Sequence, residues 1–458
     1  MPKGQRILVW GVIVSQFGPA FMFSGVAVAL PSMGADLNAG AVSLGLVEML
    51  FLAGSVAFLL PIGRLADAGD KNTLYKVGML GFGLSSLLIA AVSSMPLILI
   101  IRFLQGLFSA IFTATGPAIL ADIVPAEQRG KAYGSSLGAI YAGLLLGPVC
   151  GGFLSDHWGW RAVFLAGGLV LLLVYVFIFF LLPSKWRSPG KAIHLPSALL
   201  MIVAVLSLVG GSSLLHLGWP GYALLSLGVL LAVGFVRLQK NVKRPLLDIP
   251  KLMAHRVLRN ALCIQMLLYM NAFSSIFLLS LYMQISLGHP AQTSGQVLAF
   301  GSVLMAVVAP ISGMLSDRFR PRVITAVGVA SVLVSMLLAV NLGAETGLLF
   351  VALVIAAHGL GFALFASPNM TLIMNSVPPE AFSMASALAS KARSLGMVIG
   401  MMITTFFISR SLGNDPVAQH PLLFIDIMRT VFTILAVLAA GSLAFAVLAR
   451  DHGPEAEG

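Results

Sequence analysis

The sequence predicts an all-α membrane protein with fourteen transmembrane helices, and three observations support this fold class. Of the 458 residues, 59% are hydrophobic and only 9% are charged, whereas about a quarter of the residues in soluble domains are charged. Apolar runs longer than ~18 residues, the length that crosses a bilayer, recur along the chain. A polar loop in the first half of the chain returns in the second half, which indicates an internal repeat.

The apolar runs divide into fourteen predicted spans. The first begins at Ile7 and is too long for a cleaved signal peptide, whose apolar core is ~7–15 residues. The two cysteines, Cys150 and Cys263, lie inside apolar runs, which favours small packed core residues over a disulfide. The predicted spans are residues 7–30, 43–62, 75–94, 97–120, 132–155, 161–183, 196–215, 221–238, 259–284, 293–314, 323–341, 347–374, 382–409 and 428–449.

The positive charges lie mostly on one side of the predicted membrane. The net charge is +11, and 21 of the 27 Lys and Arg residues fall on that side. The opposite side, called the outer side below, holds only Arg161, Arg410 and Arg429. By the positive-inside rule this asymmetry predicts a multi-pass protein of the cell (inner) membrane with both termini in the cytoplasm. The excess of basic residues is therefore explained by the membrane topology, and no nucleic-acid partner is needed to account for it.

The repeated loop is Gly63–Lys71 in the first half and Gly313–Arg322 in the second. Both copies contain Gly-x-Leu-Ala-Asp or Gly-x-Leu-Ser-Asp followed by basic residues, and each lies between two apolar spans. They resemble the cytoplasmic signature loop of the major facilitator superfamily, which joins spans 2 and 3 and returns in the second half. In the first copy, Ala68 and Asp70 replace the usual Arg and Gly. The resemblance implies that the loop acids tether the two bundles in the outward-open state. The predicted switch residues are Gly63, Asp67, Lys71, Gly313, Asp317 and Arg318.

Spans 1 and 2 contain the first candidates for proton coupling. The end of span 1, Val26–Pro31, resembles that of the fourteen-span drug:proton antiporters, which usually carry an acid several residues earlier. Here that position is Met22. Span 2 instead contains Glu48, and an ionisable residue inside a span is by default a candidate functional residue. The alternative is a carboxylate that reaches water at the outer interface, roughly five residues into the span.

Span 4 carries Arg102, Gln105 and Gly106 in the order Arg-x-x-Gln-Gly, which matches a pattern of the same family. The resemblance implies that Arg102 and Gln105 take part in proton handling. A guanidinium inside the membrane needs a partner, because unpaired burial of a charge is very costly. A purely structural tie between two helices is the alternative interpretation of Arg102.

Span 5 contains a set of residues that resembles the antiporter motif of exporters in this superfamily. Glycines at four-residue spacing allow two helices to approach closely, and a proline frees a backbone carbonyl and kinks the helix. Ordinary tight packing would explain the glycine spacing alone, whereas the whole pattern implies export. The residues are Gly143, Gly147, Pro148, Gly151 and Gly152.

Two further apolar runs separate the halves, at the place where twelve-span members have a long cytoplasmic loop. The basic run that follows them ends in Pro245–Asp248 and resembles the linker after span 8 of the fourteen-span family. The sequence thus predicts two six-helix bundles of the major facilitator fold plus two extra central spans. The predicted parts are an N-terminal bundle (1–183), the two additional helices (196–238), a basic linker (239–258), a C-terminal bundle (259–450) and a tail (451–458).

The second half supplies four more candidate residues. Gln284, at the end of span 9, is a candidate polar contact in the substrate cavity. His358 in span 12 is either a packed, hydrogen-bonded group or a proton carrier. Lys391 and Arg393 lie in span 13 and belong to the same set of transport candidates. Because residues two apart on a helix point about 200° apart, only one of them can face a given cavity, and the other snorkels towards the cytoplasm.

No enzyme is predicted, and neither a cofactor nor a metal. The sequence has no Gly-x-x-x-x-Gly-Lys-Ser/Thr phosphate-binding loop and no zinc-ligand spacing. The family resemblance implies a secondary active transporter that works by alternating access. The leading prediction is proton-coupled efflux of amphipathic organic compounds, of the multidrug type, with Glu48 as the coupling carboxylate.

Two alternatives remain open at the level of the sequence. Inside the membrane, Arg102, Lys391 and Arg393 exceed Glu48 by two positive charges, which favours an exporter or uniporter of an organic anion or metabolite. A transporter-like sensor that binds its ligand without moving it is the other alternative. The expected partners are membrane lipid, an amphipathic small-molecule substrate and protons, and the chain is expected to act as a monomer.

Overall fold

A computed structural model of the protein describes residues 3–125, 128–183, 194–242, 256–377, 382–413 and 415–448. Within these ranges the chain is helical apart from short connections, and no β-strand occurs. The helices are α1 (Lys3–Ser15), α2 (Phe17–Leu37), α3 (Ala41–Ala68), α4 (Lys71–Ala91), α5 (Met95–Ile123), α6 (Arg129–Trp158), α7 (Trp160–Leu181), α8 (Leu195–Ser213), α9 (Trp219–Asn241), α10 (Arg256–Leu281), α11 (Ala291–Arg318), α12 (Pro321–Ala339), α13 (Leu348–Asn375), α14 (Phe382–Ser411) and α15 (Pro421–Leu448).

In the described part of the chain, fourteen helical segments are long and apolar enough to cross a membrane. This number confirms the predicted fold class. Helices α1 and α2 form one span interrupted at Gln16, whose amide nitrogen donates to the Ile13 carbonyl (3.1 Å). Helix α10 continues into a π-helical turn, Tyr282–Ser286. Helices dominate because the bilayer core contains no water, so each peptide group must find its partner within the segment.

The first signature stretch is more helical than predicted. Span 2 was expected to end at residue 62, but α3 continues to Ala68, and the turn itself is only Gly69–Asp70. Asp70 then caps α4 by accepting a hydrogen bond from the Asn72 amide nitrogen (3.0 Å). The expectation of a polar turn over the whole stretch was therefore wrong, because its polar residues belong to the last turns of α3.

The start of the last span was also placed too late. It was expected at residue 428, whereas α15 begins at Pro421. A proline fits the first turn of a helix, where its missing amide hydrogen is not needed. Arg429, counted on the outer side at the start of the predicted span, lies about two turns inside α15, and its Nε donates to the Leu342 carbonyl (2.8 Å). That hydrogen bond allows the charge to sit within the helix.

Contacts divide the chain into two compact units. In unit 1, α2 packs on α6, α3 packs on α5, and α4 packs on α5 and α7. In unit 2, α12 packs on α13. The domain boundaries predicted from the sequence stay a prediction. Unit 1 consists of Met1–Ile249, Ser274–Ala299 and Met401–Ile427, and unit 2 consists of Pro250–Phe273, Phe300–Gly400 and Met428–Gly458.

The two extra spans, α8 and α9, pack closely on each other. A Cβ added at Gly211 would lie 2.4 Å from the Leu225 amide nitrogen, so the two backbones are in contact. The turn that joins them places His216 against the end of α14, with 3.2 Å between His216 Nδ1 and Ser409 Oγ. On α9, the Tyr222 hydroxyl accepts a hydrogen bond from Arg410 Nη1 (2.8 Å). Polar contacts at the outer side therefore attach the extra pair to the end of α14, within unit 1.

Candidate functional site

Glu48 and Arg102 form an ion pair inside unit 1. Arg102 Nη2 donates to Glu48 Oε2 at 2.9 Å, and Arg102 Nε donates to the Val47 carbonyl oxygen at 2.9 Å. Both side chains are fully buried. Each residue lies about 10 Å from the outer start of its helix, α3 or α5, at a rise of 1.5 Å per residue. The two helices run in the same direction, so the two charges meet at one depth.

The pair belongs to a wider polar network. Arg102 Nη1 donates to Gln105 Oε1 (2.7 Å), and Gln105 Nε2 donates to Ser86 Oγ (2.7 Å), which links α5 to α4. The guanidinium also lies over the Phe51 ring, 4.7 Å from its centroid, and 5.7 Å from that of Phe164. Neutral acceptors and aromatic faces thus surround the cation on the sides that Glu48 leaves uncovered.

The network leaves one carboxylate oxygen available. Glu48 Oε1 is buried and has no hydrogen-bond partner among the described residues. Because Glu48 has no exposed surface, the alternative of a carboxylate that reaches water at the outer interface is wrong for this conformation. A buried charge pair is held by its mutual attraction, and removal of either partner leaves an uncompensated charge. The geometry is compatible both with proton handling and with a structural tie.

The glycines of the predicted antiporter motif lie where α6 meets α2. A Cβ at Gly143 would be 2.6 Å from the Phe17 carbonyl oxygen, and one at Gly147 would be 2.0 Å from Ser24 Oγ. A Cβ at Gly151 would lie 2.7 Å from the Gly25 carbonyl oxygen. Real Cβ atoms do not come so close, so these positions require glycine for the two helices to touch. The role of this contact in transport stays a prediction.

The same end of α6 also meets α11. A Cβ at Gly152 would lie 2.5 Å from the Ala291 carbonyl oxygen, and one at Gly295 would lie 2.1 Å from the Pro148 carbonyl oxygen. Pro148, Gly152 and Gly295 therefore form a second close helix contact. Gly295 was missed by sequence reasoning, because the glycines of α11 (Gly295, Gly301 and Gly313) do not follow the four-residue spacing seen in α6.

Met22, which occupies the usual position of the first-span acid, is fully buried. A Cβ added at Gly167 in α7 would lie 2.1 Å from the Met22 sulfur. The side chain thus fills the contact between α2 and α7. The methionine has no ionisable group, so it cannot replace the usual first-span acid.

The signature loops are only partly described. The side chains of Asp67 and Asp317 lie outside the described residues, so their predicted tethering contacts have no structural account. Lys71 forms an ion pair with Asp122 of α5 and lies 3.5 Å from the Ala118 carbonyl oxygen. The pairing with Asp122, which the sequence placed in the loop after span 4, was not predicted. It joins the beginning of α4 to the end of α5.

The remaining loop candidates, Gly63, Gly313 and Arg318, form no ion pair among the residues that the structure describes. A Cβ at Gly63 would meet nothing within 4 Å, and one at Gly313 would lie 3.3 Å from Ser367 Oγ. Arg318 is exposed at the end of α11. Their part in conformational switching stays a prediction.

Gln284 makes hydrogen bonds to α2 instead of standing free in a cavity. Its Nε2 donates to the Val28 carbonyl (3.0 Å) and lies 3.1 Å from Ser280 Oγ. Ser280 Oγ in turn donates to the Ala27 carbonyl (2.8 Å). Pro31 has no amide hydrogen, so the Ala27 carbonyl lacks its helix partner, and Ser280 supplies the missing donor. In this conformation the Gln284 amide nitrogen is committed to α2.

His358, Lys391 and Arg393 all lie in unit 2. His358 packs on the Phe362 ring (4.9 Å between centroids), and its Nδ1 has no hydrogen-bond partner among the described residues. Arg393 Nη2 donates to Ser390 Oγ (3.2 Å), and its guanidinium lies 5.9 Å from the Tyr269 ring centroid. Within the described part of the chain, Arg393 thus contacts neutral groups. Lys391 is half-buried.

Comparison with known proteins decides the family. A family model described as Major Facilitator Superfamily matches residues 12–246 and 261–458, which is most of the chain. The chain belongs to the Major Facilitator Superfamily. The family and its fold are those of transporters, not of enzymes, and the protein is a multi-pass membrane protein of this type.

Two curated facilitator proteins show how far the likeness extends. The riboflavin transporter RibZ of Clostridioides difficile (strain 630) is 25% identical over 389 residues, which cover 84% of each chain. The puromycin resistance protein pur8 of Streptomyces alboniger is 30% identical over 410 residues, 86% of this chain and 80% of the relative. The chain is therefore a facilitator whose relatives include a resistance protein, at low sequence identity.

A solved facilitator structure supports the fold. The inward-facing, unoccupied bacterial homolog of the human lysosomal transporter Spinster superposes with a TM-score of 0.71. The alignment covers 98% of this chain and 97% of the other at 15% identity, so it shows the fold alone.

Proposed function

We propose that this facilitator exports amphipathic organic compounds across the cell (inner) membrane in exchange for protons. The observation that carries the proposal is the buried Glu48–Arg102 pair, because a proton-coupled exporter needs a titratable group inside the membrane. The backbone contacts of the antiporter-type glycines and the likeness to a puromycin resistance protein support export. The charge asymmetry supports cytoplasmic termini, and a monomer with lipid, substrate and protons as partners completes the proposal.

In the proposed cycle, Glu48 binds a proton when the outer side is open and releases it when substrate arrives from the cytoplasm. Its Oε1, which has no partner among the described residues, is the oxygen available to the proton. Protonation removes the charge that balances Arg102, and the guanidinium then depends on the Val47 carbonyl and Gln105. The network therefore has two charge states, and the cycle alternates between them.

A second candidate function is export or uniport of an organic anion or metabolite. Arg393 favours it, because its described contacts are a serine hydroxyl and an aromatic ring, and neither carries a negative charge. A cation inside the membrane is stabilised by an anionic partner, which an anionic substrate would supply. The riboflavin transporter among the relatives gives this alternative weak support.

Transport measured with and without a pH gradient tests the leading proposal. Inverted vesicles that contain the wild type or Glu48→Gln are given labelled puromycin, together with compounds selected by a thermal-shift screen of the purified protein. The glutamine keeps an oxygen opposite Arg102 Nη2 but cannot exchange a proton. Wild-type uptake should rise with the imposed gradient, and the variant should bind substrate without responding to the gradient.

Two outcomes contradict the proposal. If Glu48→Gln responds to the gradient as the wild type does, Glu48 is not the coupling residue. If the wild type transports an organic anion and ignores the gradient, the second candidate function takes its place. Exchange of labelled against unlabelled substrate in the same vesicles excludes a sensor, because a protein that only binds its ligand shows no counterflow.

A further inference from the structure

Asp156 lies at the outer end of α6 and contacts the beginning of α11, which is 135 residues further along the chain. Its Oδ1 accepts a hydrogen bond from the Ala291 amide nitrogen (3.2 Å), and its Oδ2 accepts one from the Gln292 amide nitrogen (2.7 Å). The carboxylate therefore caps α11 from another helix. The motif of α6 was predicted to end at Gly152, so the function described above does not include Asp156.

Helix α11 needs this cap because its own sequence does not supply one. The first amide groups of a helix have no partner within the helix, and a side chain normally accepts from them. The residue before α11 is Pro290, which has no side-chain acceptor, and the first turn of α11 contains no acidic residue. A carboxylate at this end is also favoured by the positive end of the helix dipole.

The cap lies next to two close backbone contacts between α6 and α11. The contacts of Gly152 with Ala291 and of Gly295 with Pro148, described above, leave no room for a Cβ on either helix. The cap follows directly at the outer surface, where Asp156 is exposed. The two helices can therefore separate at the outer side only if both amide groups give up Asp156.

We propose that Asp156 is a latch of the outer gate, which holds α6 on α11 while the outer side is closed. Alternating access requires the outer side to open for release. When α6 moves away, water replaces the carboxylate at the Ala291 and Gln292 amides. Because Asp156 is exposed, replacement of its carboxylate by water costs little free energy. The latch therefore biases the conformational equilibrium without blocking it. The proposal depends on alternating access and not on proton coupling.

The test measures how often the outer side opens. Ser155, next to the latch, is only 5% exposed, and a cysteine there should react with a membrane-impermeant maleimide only in the open state. The reporter protein carries Ser155→Cys with Cys150→Ala and Cys263→Ala, in right-side-out vesicles. Asp156→Ala removes both acceptors, and loss of a helix cap corresponds to about fivefold in an equilibrium constant. The labelling rate should rise by about that factor.

The matched control is Asp36→Ala. Asp36 also lies near the outer side, but its Oδ2 accepts hydrogen bonds from Trp160 Nε1 (3.0 Å) and Arg161 Nη1 (2.5 Å), which join α2 to α7. This variant should label at the rate of the reporter protein. Asp156→Glu, which keeps the carboxylate, should restore slow labelling at least in part.

An unchanged labelling rate in Asp156→Ala overturns the proposal, and so does an equal rise in Asp36→Ala. Should Asp156→Ala fail to fold, Asp156→Asn decides the question, because the amide keeps one acceptor oxygen. A labelling rate of Asp156→Asn above that of the reporter protein supports the latch, and a rate equal to that of the reporter protein contradicts it.

Discussion

Replacement of Arg102 by methionine should destabilise the protein more than replacement of both members of the buried pair. In Arg102→Met the Glu48 carboxylate stays buried without its positive partner, and Gln105 Oε1 loses its donor. Removal of one member of a buried ion pair typically costs about 3–5 kcal/mol. Glu48→Met, which leaves the Arg102 guanidinium alone, should cost a similar amount.

The double variant Glu48→Met/Arg102→Met leaves no buried charge. Apolar residues of similar volume often replace a buried ion pair at no cost in stability or with a gain. The remaining losses are the hydrogen bonds from Arg102 to Gln105 Oε1 and to the Val47 carbonyl. Leaving the Gln105 oxygen without a donor costs about 1–3 kcal/mol, and the Val47 carbonyl keeps its place in the α3 helix. The double variant should therefore be more stable than either single variant, with a coupling energy of at least ~2 kcal/mol.

The free energy of unfolding is measured by equilibrium SDS titration in mixed micelles, followed by tryptophan fluorescence. Gln105→Met serves as the control, because it removes the hydrogen bond to Arg102 and leaves both charges in place. Strictly additive losses in the double variant would refute the reasoning. Additive losses would mean that the interaction between Glu48 and Arg102, 2.9 Å apart, does not itself contribute to the free energy of unfolding.

Three further predictions concern other parts of the fold. Gly147→Leu should abolish transport or folding, because a Cβ at this position lies 2.0 Å from the Ser24 oxygen. The control Leu146→Ala, at the exposed neighbouring position, should leave vesicle transport intact. Normal transport by Gly147→Leu would contradict the prediction. Asp67→Asn should slow transport with an unchanged folded yield, and wild-type turnover would exclude the tethering role. Ser280→Ala should lower stability in the SDS titration by about 1–2 kcal/mol, because the carbonyl freed by Pro31 loses its donor; an unchanged value would mean that another group satisfies it.

The sequence predicts well those features that leave a local trace. Fourteen spans follow from the length of the apolar runs alone, because the bilayer fixes the length of a spanning helix. Gly143, Gly147 and Gly151 are readable because close backbone contact tolerates only glycine and repeats every helical turn. Glu48 and Arg102 are identifiable as costly charges, and their equal depth in two parallel spans is consistent with their pairing.

Other features depend on contacts between distant segments and leave no such trace. Nothing in the sequence near Asp156 indicates that it caps α11, and nothing near Gln284 indicates that its amide bonds to α2. The end of α3 at Ala68 was also missed, because its last turn combines polar and apolar residues that suit a helix end or a turn equally well. Tertiary packing decides such cases.

Proton release on substrate binding tests the central claim most directly. Purified wild-type protein in weak buffer, with a pH-sensitive dye, receives a compound that it exports. If proton and substrate compete for the Glu48–Arg102 network, the wild type should release up to one proton for each substrate bound, and Glu48→Gln should bind the compound and release none. Equal release by both proteins, or binding by the wild type with no release, would contradict proton coupling through Glu48.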